Sequence, residues 1–148
     1  MNWTYKSQLM ESISDFPDPT YGFVYKITHK PTGKSYIGKK ILQFTRKVKL
    51  GKKELKSLEG GVGRRPVFKV VVKESDWSSY WGSNKYLKEL YKTEPKENFE
   101  RSILTAAPSK KLLTYYEVKY QMVYQVLENP DDFFNDNILG KFYTKDFI

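Results

Sequence analysis

The chain has 148 residues, about the length of one ordinary domain, and its 26 Lys and Arg exceed its 17 Asp and Glu, giving a formal net charge of +9. This charge favours a polyanionic partner such as nucleic acid. The absence of cysteine excludes disulfides, thiolate zinc sites and a cysteine nucleophile, and the single histidine, His29, excludes metal sites that need two. Because no run of about 18 apolar residues occurs, we expect a soluble, cytoplasmic protein without a membrane partner.

The first 20 residues are predicted to be a lead-in segment. Apolar residues recur at a weak helical spacing from Trp3 to Ile13. Pro17 and Pro19 end this pattern, because each proline fixes φ and lacks an N–H. We therefore expect a short helix and then a break before the main domain, which is predicted to span residues 21–148.

A β-hairpin is predicted at the start of that domain. The stretch GFVYKITH (22–29) is β-branched and aromatic, KPTGK supplies turn residues, and SYIGKK (35–40) resumes the extended pattern. His29 falls next to the turn, and we expect it to be a surface residue. The two strands are predicted to pair in antiparallel fashion.

The register of this hairpin predicts which side chains share a face. With an even number of loop residues, paired positions add to an odd sum, which places Tyr25 and Tyr36 on the same face. Gly38 and Lys40 share that face of the second strand, and we expect Gly38 to let a phosphate or backbone approach. From spacing alone, the two tyrosines are more typical of an aromatic cross-strand pair that supports the core.

A basic insertion is predicted from residue 47 to about residue 76. Nine Lys or Arg fall between Lys47 and Lys73, around a Gly-Gly break and the β-rich stretch VFKVVV. Such a segment is typical of an arm that follows phosphates, although a run of charge is also typical of a solvated surface. The cations that we expect to contact nucleic acid are Lys40, Lys47, Lys49, Arg64 and Arg65.

Two helices and a strand are predicted in the C-terminal half. The stretch at 83–92 has helical spacing behind a Ser/Asn start, and the stretch at 98–107 alternates like a strand. The strongest helix is predicted at 108–129, with Ser109 as its N-cap. One apolar stripe along it contains Leu113, Tyr116, Tyr120, Val123 and Leu127. Glu117 falls on this stripe, where an ionised carboxylate is costly unless a cation or hydrogen bonds meet it.

Short motifs in the hairpin resemble the signature of the GIY-YIG nucleases. FVY (23–25) is followed by YIG (36–38), and the later stretches YWGSNKYLKEL and NDNILGKF resemble phage-encoded members of the family. Phe23 stands where the first glycine of the motif is expected, with Gly22 one residue earlier. The resemblance implies an α/β protein of the α+β type, in which helices flank a small central antiparallel β-sheet, with the basic segment as an insertion.

The resemblance also implies the activity and the residues that perform it. A GIY-YIG nuclease is a metal-dependent DNA endonuclease that hydrolyses phosphodiester bonds, here most simply in double-stranded DNA. The predicted catalytic set is Tyr25, Tyr36, Lys39, Arg46, Tyr80, Glu117 and Asn135. For the position assigned to Tyr80, the neighbouring Trp81 is an open alternative, because the insertion shifts the residue count.

Each of these residues has an implied role. Tyr25 is the candidate general base, and its ordinary pKa near 10 requires nearby positive charge such as Lys39 and Lys40 to lower it. Arg46 would bind the phosphate, and Glu117 would hold one Mg²⁺ or Mn²⁺ ion.

Two further residues complete the implied site. Tyr36 would position the water or phosphate through its hydroxyl group. Asn135 is expected to maintain the geometry of the site through hydrogen bonds to the backbone. Both roles follow from the family resemblance and not from spacing.

Two alternatives have a basis in the sequence. A non-cleaving nucleic-acid-binding protein with the same fold would also explain the net charge of +9 and the phenylalanine at position 23. A nuclease of the PD-(D/E)xK type is weaker, because the acidic pair Asp131 and Asp132 follows the EVK stretch at 117–119 instead of preceding it. Homing, restriction and repair all remain open as biological roles, and the likeness to phage-encoded members favours homing in a host-cell cytoplasm by analogy alone.

Overall fold

The structure is a computed structural model that describes residues 2–57 and 68–148. Its chain divides into two units. We call Met1–Leu42 with Asp76–Ile148 the sheet unit, and Gln43–Ser75 the ribbon unit. The strands of the sheet unit are β1 (Trp3–Tyr5), β2 (Gln8–Met10), β3 (Gly22–His29), β4 (Lys34–Ile41), β7 (Phe99–Ala107), β8 (Asn137–Ile138) and β9 (Phe142–Tyr143). Its helices are α2 (Lys85–Thr93) and α3 (Lys110–Val123).

A five-stranded mixed sheet forms the centre of the sheet unit, in the order β2-β1-β7-β3-β4. All neighbouring strands are antiparallel except β1 and β7, which run parallel. A parallel pair needs a long connection, and the many residues between β1 and β7 supply one. The α+β class is confirmed, with the parallel pair as a departure from the antiparallel sheet expected.

The helix expected before residue 16 is wrong, because the chain there forms the hairpin β1–β2. Its two turn residues, Lys6 and Ser7, have φ values of 50° and 67°. The type I′ turn, one of the two-residue turns that follow the twist of the strands, has positive φ at both positions. Trp3 at the start of β1 is buried, and its indole N–H donates to the Trp77 carbonyl at 2.7 Å.

The central hairpin has the expected register. Tyr25 pairs with Gly38, and Ile27 pairs with Tyr36, so the paired positions add to an odd sum. Strand β3 lies between β4 and β7 and is buried on both faces, which explains its nearly continuous apolar sequence. Phe23 and Tyr25 pack into the core on one face of the sheet, and Val24 packs into the core on the other.

Both predicted helices are present. Asn84 caps α2 by accepting from the N–H groups of Tyr86 and Leu87, and Ser109 caps α3 by accepting from the N–H of Leu112. Helix α3 ends at Val123, six residues before the predicted end at 129.

The predicted stripe on α3 is therefore wrong at its last helical member. Leu113 is buried, whereas Val123 is 67% exposed. Leu127 is also buried, but it reaches the core from the turns that follow the helix.

In the ribbon unit, strands β5 (Gln43–Lys49) and β6 (Phe68–Glu74) pair in antiparallel fashion, and helix α1 spans Lys52–Ser57. The strand expected around VFKVVV is confirmed as β6, whereas β5 was not predicted. Arg64 and Arg65, predicted to contact nucleic acid, lie outside the described residues. None of the helices in residues 2–57 and 68–148 is long and apolar enough to cross a membrane.

Candidate active site

An open cleft of about 600 Å³ lies in the sheet unit. Strand β4 and helix α3 form two of its sides, and the segments before α2 and around β8 form the others. Four of the predicted catalytic residues line it, namely Tyr36, Lys39, Glu117 and Asn135. Residues from four distant parts of the chain therefore meet at one polar cavity.

Tyr25 lies behind this cleft in a cluster of three tyrosines. It is 1% exposed, and its ring centroid is 6.2 Å from that of Tyr36 and 5.9 Å from that of Tyr80. A Cβ atom on Gly38 would come within 2.6 Å of the Tyr25 hydroxyl. Gly38 thus makes room for the tyrosine rings. That it lets a phosphate or backbone approach stays a prediction.

Burial raises the pKa of both tyrosines of the hairpin. The pKa of Tyr25 lies well above its usual value near 10, mainly because of burial and further because of Tyr80, Tyr36 and the charge of Glu117. Burial also raises the pKa of Tyr36, partly opposed by a hydrogen bond with Ser83. The expected lowering of the Tyr25 pKa is therefore not found, and both phenols are protonated at neutral pH.

The Glu117 carboxylate lies in the cleft, where partial burial disfavours its charged form. Its side chain is 17% exposed, and the nearest ion-pair partner is Lys39, whose Nζ lies 3.9 Å from Oε1. Lys39 Nζ donates its hydrogen bond to Thr114 Oγ1 at 2.9 Å instead. Burial raises the pKa of Glu117, with Lys39 acting against this shift. The carboxylate would be stabilised by a further positive charge.

The donor set around Glu117 fits a hard divalent cation. Carboxylate oxygen is a preferred ligand of Mg²⁺, which needs only one or two such groups and keeps several waters. The described residues contain no group of three or more His, Cys, Asp or Glu side chains that could hold a metal ion. A cation at Glu117 would therefore draw most of its ligands from water and phosphate oxygens.

Asn135 and Gln121 form hydrogen bonds to strand β4, which carries the YIG motif. The buried Asn135 accepts from the N–H of Ile37 at 3.1 Å and donates to its carbonyl at 2.9 Å. Gln121 donates to the same carbonyl at 3.1 Å. Because Ile37 lies between Tyr36 and Gly38, these bonds determine the position of Tyr36. The backbone hydrogen bonds expected for Asn135 are present.

Tyr80, and not Trp81, is the residue whose ring contacts Tyr25 in the tyrosine cluster. The Nζ atom of Lys40 lies 4.2 Å from the Tyr80 ring centroid and 2.5 Å from Asp76 Oδ1. Trp81 is buried elsewhere, with the Arg101 guanidinium 4.1 Å from its ring centroid. Lys40 is therefore engaged within the protein, a partnership that its predicted role in nucleic-acid binding did not include.

Arg101 is an arginine that the sequence interpretation missed. It is buried, it donates to the carbonyls of Ser78 and Tyr80, and burial lowers its pKa to about 10. Its bond to the Tyr80 carbonyl helps to hold that residue against the cluster. Gln121 was missed too, although its position four residues after Glu117 places it on the same helix face.

Three further predicted residues belong to the ribbon unit. Arg46 is an exposed residue of β5 in the ribbon unit, opposite Val71. Lys47 and Lys49 lie on the same strand and are exposed. His29, expected at the surface, is buried and contacts Thr32 Oγ1 at 2.7 Å and Glu94 Oε1 at 2.8 Å, because β3 lies in the centre of the sheet.

Comparison with known families assigns most of the chain to one family. Residues 3–138 match the family model described as "Putative endonuclease segE, GIY-YIG domain". Neither a curated protein nor a solved structure matches the chain significantly. The family match covers nearly the whole chain, including both halves of the tyrosine motif and Glu117. The chain therefore belongs to the GIY-YIG endonuclease family, whose members hydrolyse phosphodiester bonds of DNA.

Proposed function

We propose that the protein is a metal-dependent DNA endonuclease and that the cleft containing Tyr36, Lys39, Glu117 and Asn135 is its catalytic centre. The observation that carries this proposal is the largely buried Glu117 carboxylate, which lies in a polar cleft beside a phenol and a lysine. A carboxylate kept there at a cost in stability is typical of a functional site. The proposed cofactor is one Mg²⁺ or Mn²⁺ ion held by Glu117.

Hydrolysis requires three contributions from the site. A water oxygen attacks phosphorus and gives its proton to a base, while the bond from phosphorus to the leaving oxygen breaks and that oxygen keeps the electron pair until it is protonated. A divalent cation supplies Lewis-acid stabilisation of the phosphoryl oxygens when bound. Lys39, whose ammonium group lines the cleft, adds positive charge on the side of Glu117, and Asn135 holds the strand that presents Tyr36.

The base is one of the two hairpin tyrosines. Tyr25 is the first candidate by family resemblance, but Tyr36 is the phenol that lines the cleft. The negative charge of Glu117 contributes to the raised pKa of both tyrosines. Neutralising that charge with a bound cation would lower both values, which couples metal binding to activation of the phenol. We propose that Tyr36 meets the attacking water and that Tyr25, with Tyr80 hydrogen-bonded to it, supports its ring.

Other predicted residues have roles that follow from the resemblance. Arg46 is proposed to bind phosphate. Comparing the cleavage rates of Arg46→Lys and Arg46→Ala tests whether its planar guanidinium group is needed. Lys40 is proposed to add positive potential near Tyr80. A homing-type role on double-stranded DNA in a host-cell cytoplasm is the biological part of the proposal.

The test is cleavage of plasmid and linear duplex DNA with Mg²⁺, Mn²⁺ or EDTA. We expect cleavage with either metal ion, and a loss of about 10²- to 10³-fold in Glu117→Gln, a magnitude typical of removing a main electrostatic contributor. The matched control is Glu128→Gln, an exposed glutamate outside the cleft, which should cleave like the wild type. Sequencing of the ends from a mixed DNA library would then reveal the cleavage site and distinguish nicking from double-strand cutting.

The alternative function is salt-dependent nucleic-acid binding without hydrolysis. It would be favoured if wild-type protein bound DNA but cut none of the substrates in Mg²⁺, Mn²⁺ or Ni²⁺. It would also be favoured if Glu117→Gln left any residual cleavage unchanged.

A further inference from the structure

The ribbon unit presents an unusual combination of side chains. Its two strands, seven residues each, carry five Lys or Arg and a single acidic residue, Glu74. Among the described residues these strands pair only with each other, so the ribbon is two strands wide. A segment of this charge is suited to a polyanionic partner.

The register sorts these side chains onto two faces. Lys47 pairs with Val70, and Lys49 pairs with Phe68, so they share one face, on which Val72 also lies. We call this the lysine-valine face. Arg46 pairs with Val71 and lies on the opposite face.

The lysine-valine face is exposed although three of its eight side chains, those of Phe68, Val70 and Val72, are apolar. Val70 is 66% exposed, and Phe68 and Val72 are exposed to a similar degree. The valines of a sheet are ordinarily covered by a core, and contiguous exposed apolar side chains often mark an interaction site. On this face the apolar side chains belong to one strand and the lysines to the other.

This arrangement fits the groove of duplex DNA in size and charge. The major groove is about 12 Å wide and admits a two-stranded β-ribbon. Seven strand residues span about 23 Å, which corresponds to about seven base pairs. The lysines can contact phosphates along one DNA strand, while the valines contact apolar groups on the base edges such as the thymine methyl.

A second copy of the chain fits this face less well. The ribbon strands carry five cations against one acidic residue, Glu74, which shares the lysine-valine face through its pairing with Gln43. Two ribbons packed together would therefore still repel each other by their net positive charge. A polyanion meets this face without such repulsion. The charge of the ribbon therefore favours nucleic acid as its occupant.

We propose that the β5–β6 ribbon docks its lysine-valine face into the groove of duplex DNA and contributes to the sequence preference of the enzyme. The DNA partner rests on the proposed function, but docking does not depend on cleavage. Lys47 and Lys49 supply affinity through phosphates, and Val70 and Val72 supply contact with the bases.

The first experiment measures affinity by fluorescence anisotropy in EDTA, with a 20-bp duplex pool and the single strand of the same length. Val70→Thr with Val72→Thr keeps the branched shape and the preference for strands. We expect this pair to weaken duplex binding about tenfold, because two apolar contacts are lost, and to leave single-strand binding within about twofold, since a single strand offers no groove. The matched control is Val123→Thr, at a valine of equal exposure in the sheet unit, which should change neither.

The second experiment measures the dependence of duplex affinity on salt. Lys47→Ala with Lys49→Ala should reduce the slope of log Kd against log salt by about 1.8, the value for two lost phosphate contacts. Lys88→Ala, at an exposed lysine of α2, should leave the slope unchanged.

The outcomes separate this proposal from the proposed function. Duplex affinity of the valine pair equal to wild type overturns groove docking, even if the protein cleaves DNA. If the wild type sediments as a dimer and the valine variant as a monomer, while their DNA affinities are equal, groove docking is also overturned and the face is assigned to self-association. Weakened duplex binding in a protein that never cleaves supports docking while the nuclease proposal fails.

Discussion

Two antiparallel strand pairs of similar length differ sharply in the burial of their side chains. The β3–β4 hairpin lies in the central sheet, where Phe23 and Tyr25 are buried, whereas the β5–β6 ribbon exposes Phe68 and Val70. The local rules of strand pairing are the same in both, so the difference comes from what packs against them. The buried pair can hold its two tyrosines at defined distances, and the exposed pair leaves its side chains available to a partner.

Phenylalanine truncation is the largest expected contrast between the two strand pairs. Phe23→Ala removes a fully buried ring that packs against Trp3 and Phe16, and it should lower the free energy of unfolding by about 3–5 kcal/mol. Phe68→Ala removes an exposed ring and should change it by less than about 0.5 kcal/mol. Urea denaturation of both variants measures the difference. Similar losses would mean that the ribbon is covered in solution and that the comparison fails.

Glycine substitutions should also affect the two regions differently, with smaller changes in the free energy of unfolding. A Cβ on Gly38 meets the Tyr25 hydroxyl at 2.6 Å and the Tyr36 ring at 2.9 Å, whereas a Cβ on Gly51 meets nothing within 4 Å. Gly38→Ala should therefore destabilise by about 1–3 kcal/mol, the usual cost of overpacking. Gly51→Ala should be neutral or stabilise by up to about 1 kcal/mol, because it restricts the unfolded chain. Thermal denaturation tests both, and a neutral Gly38→Ala would show that the tyrosine cluster is loosely packed.

The parts of the fold that could be predicted are those with strong local signals. The hairpin register followed from turn length and alternation, and the starts of α2 and α3 followed from Asn84 and Ser109 as caps. The hairpin β1–β2 was missed because Lys6 and Ser7 are ordinary residues in left-handed conformations. The exposed strand β5 was missed because it has no buried face to impose a hydrophobic pattern.

The candidate site shows the same division. The family resemblance selected Tyr36, Glu117 and Asn135, and positive charge beside the motif selected Lys39. The fold brings these four residues to one cleft. Gln121 shares a helix face with Glu117, but its hydrogen bond depends on a carbonyl 84 positions away in the chain, which the helix pattern does not identify. The raised pKa of the tyrosines depends on burial that only the packed structure reveals.

The pH dependence of stability should reveal the cost of the buried carboxylate. Because burial raises the pKa of Glu117 in the folded state, this group favours folding most below its unfolded pKa, and that contribution is lost as pH rises through the folded pKa. Glu117→Gln should therefore be more stable than wild type by about 1 kcal/mol at pH 7. The gain should vanish near pH 4, where the wild-type carboxyl is protonated. A variant that is less stable at pH 7 would mean that the carboxylate is well satisfied without a cation.

Mg²⁺ gives a second check on that carboxylate that does not depend on activity. A ligand that binds only the folded state raises the melting temperature as its concentration rises. Mg²⁺ should therefore stabilise the wild type and not Glu117→Gln, and equal stabilisation of both would place the cation elsewhere.

The smallest expected effect concerns one lysine in each strand pair. Lys39 lies 3.9 Å from the Glu117 carboxylate and lowers its pKa, so Lys39→Ala should cost about 0.5 kcal/mol at pH 7, as partly exposed ion pairs usually do. That cost should disappear in the Glu117→Gln background, because the double variant lacks the charge that Lys39 faces. Lys47→Ala in the ribbon should show no coupling to Glu117 in the same double-mutant cycle. Urea denaturation of the wild type, the three single variants and the two double variants gives the coupling energies of Lys39 and of Lys47 to Glu117. Equal coupling energies would contradict the distinction between a lysine that interacts in the cleft and a lysine that faces a partner.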